Sequence, residues 1–163
     1  MKKLKKILLI NWLYFSKELI EVDEINFLTG KNGAGKSTVI DALQIVLLGE
    51  TNARNFNQAA NEKSQRTLDG YLRADMDENN PNSRRGKDFS SFIVCEFLDD
   101  IEGRSFVCGI IFDCRSDGSR QDRHFHKILV PAYSHLLFSS LFFFLSISEK
   151  RPIKNIFLSI LSG

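Results

Sequence analysis

Several features that would assign this 163-residue chain to a class are missing from it. Its three cysteines, Cys95, Cys108 and Cys114, form no C-x-x-C pair, and no histidine-rich ligand spacing accompanies them. A zinc site of the usual spacing is therefore not expected. An odd count in strand-like segments points instead to reduced, mostly buried thiols in a cytosolic chain. The net charge is only +2, so no globally basic surface exists and any contact with nucleic acid must be local. Lys2 to Lys6 followed by Ile7-Leu8-Leu9-Ile10 looks like the start of a signal peptide. No small-residue cleavage site follows, and a first strand with a lysine-rich lead is the better reading. Apolar heptads are not sustained over several turns, so no coiled coil is expected.

What is present is concentrated near the start. Gly30-Lys31-Asn32-Gly33-Ala34-Gly35-Lys36-Ser37-Thr38 fits G-x-x-x-x-G-K-[ST] at every required position. Ile25-Asn26-Phe27-Leu28 before it reads as a strand. Val39 to Leu48 after it reads as a helix that begins at Lys36 and ends at Gly49. Strand, glycine loop and helix form the context that makes this string a phosphate-binding loop.

Each residue type has a reason. Gly30, Gly33 and Gly35 can take positive φ and leave room for phosphate oxygens. Backbone N–H groups from Gly33 to Thr38, with Asn32 and Ala34 in the same curve, can point at an anion. The helix N-terminus adds unpaired donors and partial positive charge. Lys36 is the cation for β- and γ-phosphates. The Ser37 hydroxyl is the expected Mg²⁺ ligand, and Thr38 bonds the α-phosphate. ATP and Mg²⁺ are the expected cofactors.

Around the loop the pattern is α/β. Ile7–Phe15 and Leu19–Val22 read as strands ahead of it. Ser64–Arg73 can form a short helix. Ser90–Leu98 and Arg104–Asp113 read as a hairpin closed by Asp99-Asp100-Ile101-Glu102-Gly103. That hairpin is expected beside the nucleotide core and not within its sheet. The fold class is a P-loop NTPase half-domain with a mixed sheet and an antiparallel β-hairpin subdomain. The polar stretch from Thr51 to Asn61 and the Asp/Asn/Pro/Gly-rich stretch from Ala74 to Lys87 read as loops.

The chain changes character near residue 125. Residues 126–163 carry the apolar block Leu136 to Leu145 and further apolar, serine-containing sequence. Three readings stand side by side: a buried or misfolded tail, a frameshifted or truncated terminus, and a membrane anchor. The domain division is 1–125 and 126–163.

The run G-x-N-G-x-G-K-S-T followed by Ile40-Asp41-Ala42-Leu43 resembles the SMC-like ATPases: structural maintenance of chromosomes proteins, RecN, SbcC and the MukB and MksF types. Ala59 to Arg73 is most similar to the MksF or JetC ATPases of condensin-like plasmid-defence systems. The resemblance spans about residues 5–125. It implies the N-terminal lobe of an ABC-class ATPase head, acting in DNA maintenance, chromosome or plasmid segregation, or defence. It also implies that the second acidic motif and the signature serine come from elsewhere. The partner is then a second head or a missing C-terminal half, with DNA reached through the complete assembly in the cytoplasm and no membrane expected. The alternative is a membrane-associated transport ATPase fragment using the apolar tail.

No catalytic residue is assigned. Phe97-Leu98-Asp99-Asp100 is an apolar run ending in two carboxylates, but it sits before a hairpin loop, and solvated turn residues are the preferred reading of Asp99. Arg54, Arg66 and Arg73 read first as solvent-exposed helix charges, with Arg66 the preferred candidate for a contact to nucleotide or DNA. Trp12 and Tyr14 could stack on a nucleobase, although in a strand they read first as packing residues. His124 and His126 flank Phe125 with no nucleophile to serve.

Overall fold

A computed structural model describes residues 1–49, 51, 67–75 and 83–129, with backbone alone for 126–129. Its elements are β1 (Lys2–Trp12), β2 (Phe15–Glu21), α1 (Lys36–Leu48), α2 (Leu68–Arg73), β3 (Phe89–Asp99), β4 (Arg104–Cys114) and β5 (Arg120–Leu129). The strands form one five-stranded sheet in the order β2–β1–β3–β4–β5. All its pairings are antiparallel. The two helices cover one face.

The sheet follows from alternation. Ile7 and Leu9 of β1, Ile93 and Cys95 of β3, and Ile110 and Phe112 of β4 point to the helices. There they meet Val39, Ala42 and Ile45 of α1 and Leu68, Tyr71 and Leu72 of α2. The apolar positions of α1 recur three residues apart, which is the stripe a helix needs to lie on a sheet. Trp12 sits fully buried at the centre of this layer. Its ring stacks on Tyr71 at 4.7 Å between centroids and lies 6.4 Å from Phe112.

Three expectations are corrected by the sheet. Ile7–Phe15 is not one strand: β1 ends at Trp12, the chain reverses at Leu13-Tyr14, and Phe15 opens β2 opposite Trp12. Ile25–Leu28 is not a strand. Asp23 N–H donates to Asn26 Oδ1 at 2.9 Å, and Asn26 Nδ2 donates to the Asp23 carbonyl at 2.6 Å. Side-chain bonds of this kind compete with a ladder for the backbone, and Ile25, Phe27 and Leu28 stand exposed. The parallel component expected of the sheet is accordingly not among the described strands. The β3–β4 hairpin, in turn, does not stand apart: β3 pairs directly with β1, Ile7 opposite Cys95 and Leu9 opposite Ile93.

β5 runs through the expected boundary at residue 125. Its Phe125 ring is seated over Gly109 of β4, where a Cβ would lie 2.8 Å from Phe125 Cζ and 2.2 Å from the Ile93 carbonyl oxygen. Only glycine fits there. Among the described residues no helix is long and apolar enough to cross a membrane. The tail from 130 onward, the stretch 52–66 and residues 76–82 lie outside the described residues, and with them Arg54, Arg66 and the three readings of the tail.

Candidate nucleotide-binding site

The loop between β2 and α1 is built by its glycines. Gly30, Gly33 and Gly35 have φ of 144°, 84° and 88°. Gly35 is the N-cap of α1, with no side-chain capping bond and no acidic residue in the first turn. The first bond of the helix is Val39 N–H to the Gly35 carbonyl at 3.1 Å. The N–H groups ahead of Val39 therefore have no intrahelical acceptor. With no acidic residue in the first turn of α1, they and the helix dipole favour an anion.

Lys36 curls back into the same curve. Its Nζ donates to the carbonyls of Gly30 at 2.7 Å and Lys31 at 2.8 Å. The ammonium thus sits at the mouth of the loop, and among the described residues its acceptors are these two neutral carbonyls. Ala34 N–H closes a turn onto the Lys31 carbonyl at 3.2 Å. Asn32, Gly33 and Ala34 are exposed, Gly35, Lys36 and Ser37 half-buried, and Thr38 buried. All eight residues expected at the site, Gly30 and Asn32 to Thr38, are thus brought to one loop–helix junction.

Several supports were not foreseen from the sequence. A Cβ on Gly35 would lie 2.9 Å from the tip of the Phe15 ring, so β2 presses an aromatic edge against the loop. Trp12 Nε1–H donates to the Thr38 carbonyl at 3.0 Å, tying β1 to the first turn of α1. Asp41 of α1 is fully buried and accepts a hydrogen bond from the Tyr71 hydroxyl. The β1–β2 turn carries Leu13 at φ 47°, a left-handed conformation that costs a bulky residue energy. It is over-determined: Leu13 N–H donates to the Tyr71 carbonyl at 2.7 Å, and the Leu13 carbonyl accepts two bonds from Arg84 at 3.2 and 3.1 Å. Burial holds the Arg84 guanidinium below its ordinary pKa. No local sequence pattern announces a bond across 71 positions.

The other candidates separate cleanly. Trp12 is interior and cannot stack on a base. Tyr14 is 52% exposed at the tip of the β1–β2 turn, one residue from Phe15. Arg73 is buried, donates to the Arg115 carbonyl at 3.0 Å and lies over the Phe89 ring, so it is not the solvated charge expected of it. Asp99 caps the hairpin loop, accepting from Ile101 N–H at 3.1 Å and Glu102 N–H at 3.4 Å. The Ile101 bond is the main reason its carboxyl lies below the usual range. It ends β3 and is buried, so it is not the solvated turn residue expected of it. His124 is exposed on β5. Cys95, Cys108 and Cys114 are free thiols; burial pushes Cys95 up to about 12 and Cys114 to about 11.

With this geometry in view, the comparisons with known proteins fall into place. A family described as the P-loop containing region of AAA domain matches residues 4–63, less than half of the chain. The match runs from β1 through α1. The fold is that of a P-loop NTPase half-domain. A solved chain described under ATP-driven dimerization and DNA-stimulated activation of SMC ATPases superposes with a TM-score of 0.46 at 18% identity. That superposition covers 79% of this chain and 72% of the other. No curated protein matches.

Proposed function

We propose that this chain is the ATP-binding N-terminal lobe of an SMC-like ATPase head, acting in the cytoplasm in DNA maintenance, segregation or defence. The observation that carries the reading is the uncapped start of α1 behind three positive-φ glycines, with the Lys36 ammonium held at the loop mouth by the Gly30 and Lys31 carbonyls. Phosphate oxygens are better acceptors for Lys36 than those carbonyls, because a charge-assisted bond is roughly twice as strong as a neutral one. Binding would exchange the two. The N–H groups from Gly33 to Thr38 would hold the phosphates, and Ser37 would ligate the Mg²⁺ that neutralises them.

Hydrolysis also needs a group to orient the attacking water. Among the described residues no carboxylate has that place: Asp41 is bonded to Tyr71, and Asp99 caps a turn. Binding without appreciable turnover is therefore the activity of the chain alone. The flanks of the loop–helix unit agree with an incomplete head. Ile25, Phe27 and Leu28 before the loop and Leu47 and Leu48 at the end of α1 are large apolar residues left in solvent. A second head or the missing C-terminal half would cover them, and DNA would be engaged by that assembly.

The test is a pair of measurements on the full chain with Mg²⁺ present. A fluorescent ATP analogue should bind, and ATP turnover should stay well below the order of one per second usual for an enzyme. Failure to bind refutes the reading. Turnover at an ordinary rate would refute the incomplete half-site.

A further inference from the structure

The β1–β2 turn consists of Leu13 and Tyr14, closed by the pairing of Trp12 with Phe15. A two-residue hairpin turn usually places glycine, asparagine or aspartate at positive φ. Here Leu13 holds that conformation, at φ 47°. Strain of this kind persists only where the surroundings impose it. What the turn aims is the phosphate loop. Both residues of its closing pair also reach the loop–helix junction. Trp12 Nε1–H bonds the Thr38 carbonyl, and the Phe15 ring lies against Gly35, the N-cap of α1. Gly35 has no side-chain capping bond of its own. The start of α1 is therefore set from outside, through one strained turn.

We propose that Arg84 is a positioning residue of the nucleotide site: by holding the Leu13 carbonyl it fixes the turn that keeps Phe15 against Gly35. The inference rests on the ATP-binding reading of the loop. The guanidinium forks between two elements. Nη1 and Nη2 donate to the Leu13 carbonyl at 3.2 and 3.1 Å, and Nη1 also donates to the Leu72 carbonyl, in the last turn of α2, at 2.9 Å. The Arg84 N–H donates to the Arg73 carbonyl at 2.8 Å, and the guanidinium lies 5.7 Å from the centre of the Phe89 ring. A planar fork of fixed donors can serve both carbonyls at once, which a lysine ammonium does less well. Both acceptors are neutral, and among the described residues no carboxylate bonds to Arg84. A half-buried charge without a carboxylate is a costly way to hold a turn. What it secures is geometry. Leu13 N–H is bonded to the Tyr71 carbonyl at 2.7 Å, so Arg84 completes a clamp on both backbone groups of the strained residue. A turn free to relax would carry Phe15 off Gly35. The N–H groups from Gly33 to Thr38 would then have to be ordered at the moment of binding, and that ordering weakens affinity.

The test is ATP affinity in the full chain, read with a fluorescent ATP analogue and Mg²⁺. Arg84→Met keeps the stem and removes the fork. It should weaken binding about tenfold, within the range for mutations along a packed network. Phe15→Leu should weaken it as well. The double variant should bind no worse than the weaker of the two singles, because both act at one contact. A role in stability alone would lower the urea midpoint and leave the affinity of the folded protein unchanged. That result overturns the proposal, and so do additive losses in the double variant. Trp12 is the one tryptophan, and its fluorescence reports folding in each protein. Should Arg84→Met unfold, Arg84→Lys, which keeps the charge and loses the fork, takes its place with the same expectations. Backbone amide NMR without nucleotide gives the second arm. The Gly35 signal should move in the Arg84 variant as it does in Phe15→Leu. If the wild type binds no ATP, the reading of the site fails, and this second arm alone decides whether Arg84 sets the loop. A Gly35 signal left in place by the loss of Arg84 overturns the proposal.

Discussion

The sheet and the phosphate loop are organised in opposite ways. On the helix side of the sheet, Trp12, Tyr71, Phe112, Leu9 and Ile93 are all fully buried and touch residues from several elements. In the loop, residues 30–34 are exposed, and the visible restraints are a few hydrogen bonds among the loop's own carbonyls, Ala34 N–H and the Lys36 ammonium. Yet the two meet at three points: Phe15 against Gly35, Trp12 on the Thr38 carbonyl and Tyr71 on Asp41. The core supplies rigidity, and the loop leaves its donors available. A binding loop that packed like the core would have no donors left for a ligand.

That contrast can be broken from the core side with the largest effect. Trp12→Ala removes a buried ring together with the bond to Thr38. It should cost about 3–5 kcal/mol in chemical denaturation. Tyr14→Ala, two residues on but half exposed, should change stability by no more than about 0.5 kcal/mol. Similar losses from both would erase the distinction between interior and rim.

Next in size is the tie between the helices. Tyr71→Phe keeps the stack on Trp12 and removes the hydroxyl that serves the buried Asp41 carboxylate. An underbonded buried acceptor costs about 1–3 kcal/mol. Measured by urea unfolding, a neutral result would show that the bond to Asp41 contributes nothing net.

The loop itself is sharpened by two glycine substitutions of unequal effect. Gly33→Ala and Gly35→Ala both place a side chain at positive φ, at a strain cost of about 1–2 kcal/mol. At Gly33 the new methyl meets nothing within 4 Å, whereas at Gly35 it meets Phe15 at 2.9 Å. Gly35→Ala should therefore be the less stable of the two by thermal unfolding. If Gly33→Ala were as unstable, the pressure of Phe15 on the loop would be immaterial.

The smallest effect needs no substitution. The thiols of Cys95 and Cys114 are pushed up from 9.0 to about 12 and about 11 by burial. A raised thiol pKa means that the fold favours the neutral form. The associated stability is complete below about pH 9 and is lost as the pH rises through 9 toward 11–12. Nothing from these groups should be seen between pH 6 and 8. Cys95→Ala should flatten the alkaline limb of the stability profile, and an unaltered limb would exclude this thiol as its source.

Legibility in the sequence followed how local the cause was. The loop and α1 were readable to their ends, because glycine at Gly30, Gly33, Gly35 and Gly49 and the apolar stripe Val39–Ile45 act within one turn of the residues they shape. The hairpin closed by Asp99 to Gly103 was readable for the same reason. Ile25–Leu28 misled, since an apolar run looks like a strand until the Asp23–Asn26 side-chain bonds are seen to take the backbone. β5 was missed: Arg120-Gln121-Asp122-Arg123 is too polar to announce a strand, and only pairing with β4 makes it one. The union of β3 with β1, the Arg84 clamp on Leu13 and the burial of Arg73 join positions far apart in the chain. No short window contains them.

The claim that the N-terminus of α1 and Lys36 together form an anion site for ATP is tested most directly by titrating the full chain and its Lys36→Ala variant with ATP and Mg²⁺, following backbone amides by NMR. The wild type should shift its signals from Gly33 to Thr38 with saturation, and the variant, folded to the same degree, should show no binding at the same concentrations. Equal affinity in the two proteins, or shifts that leave Gly33 to Thr38 untouched, would contradict the account.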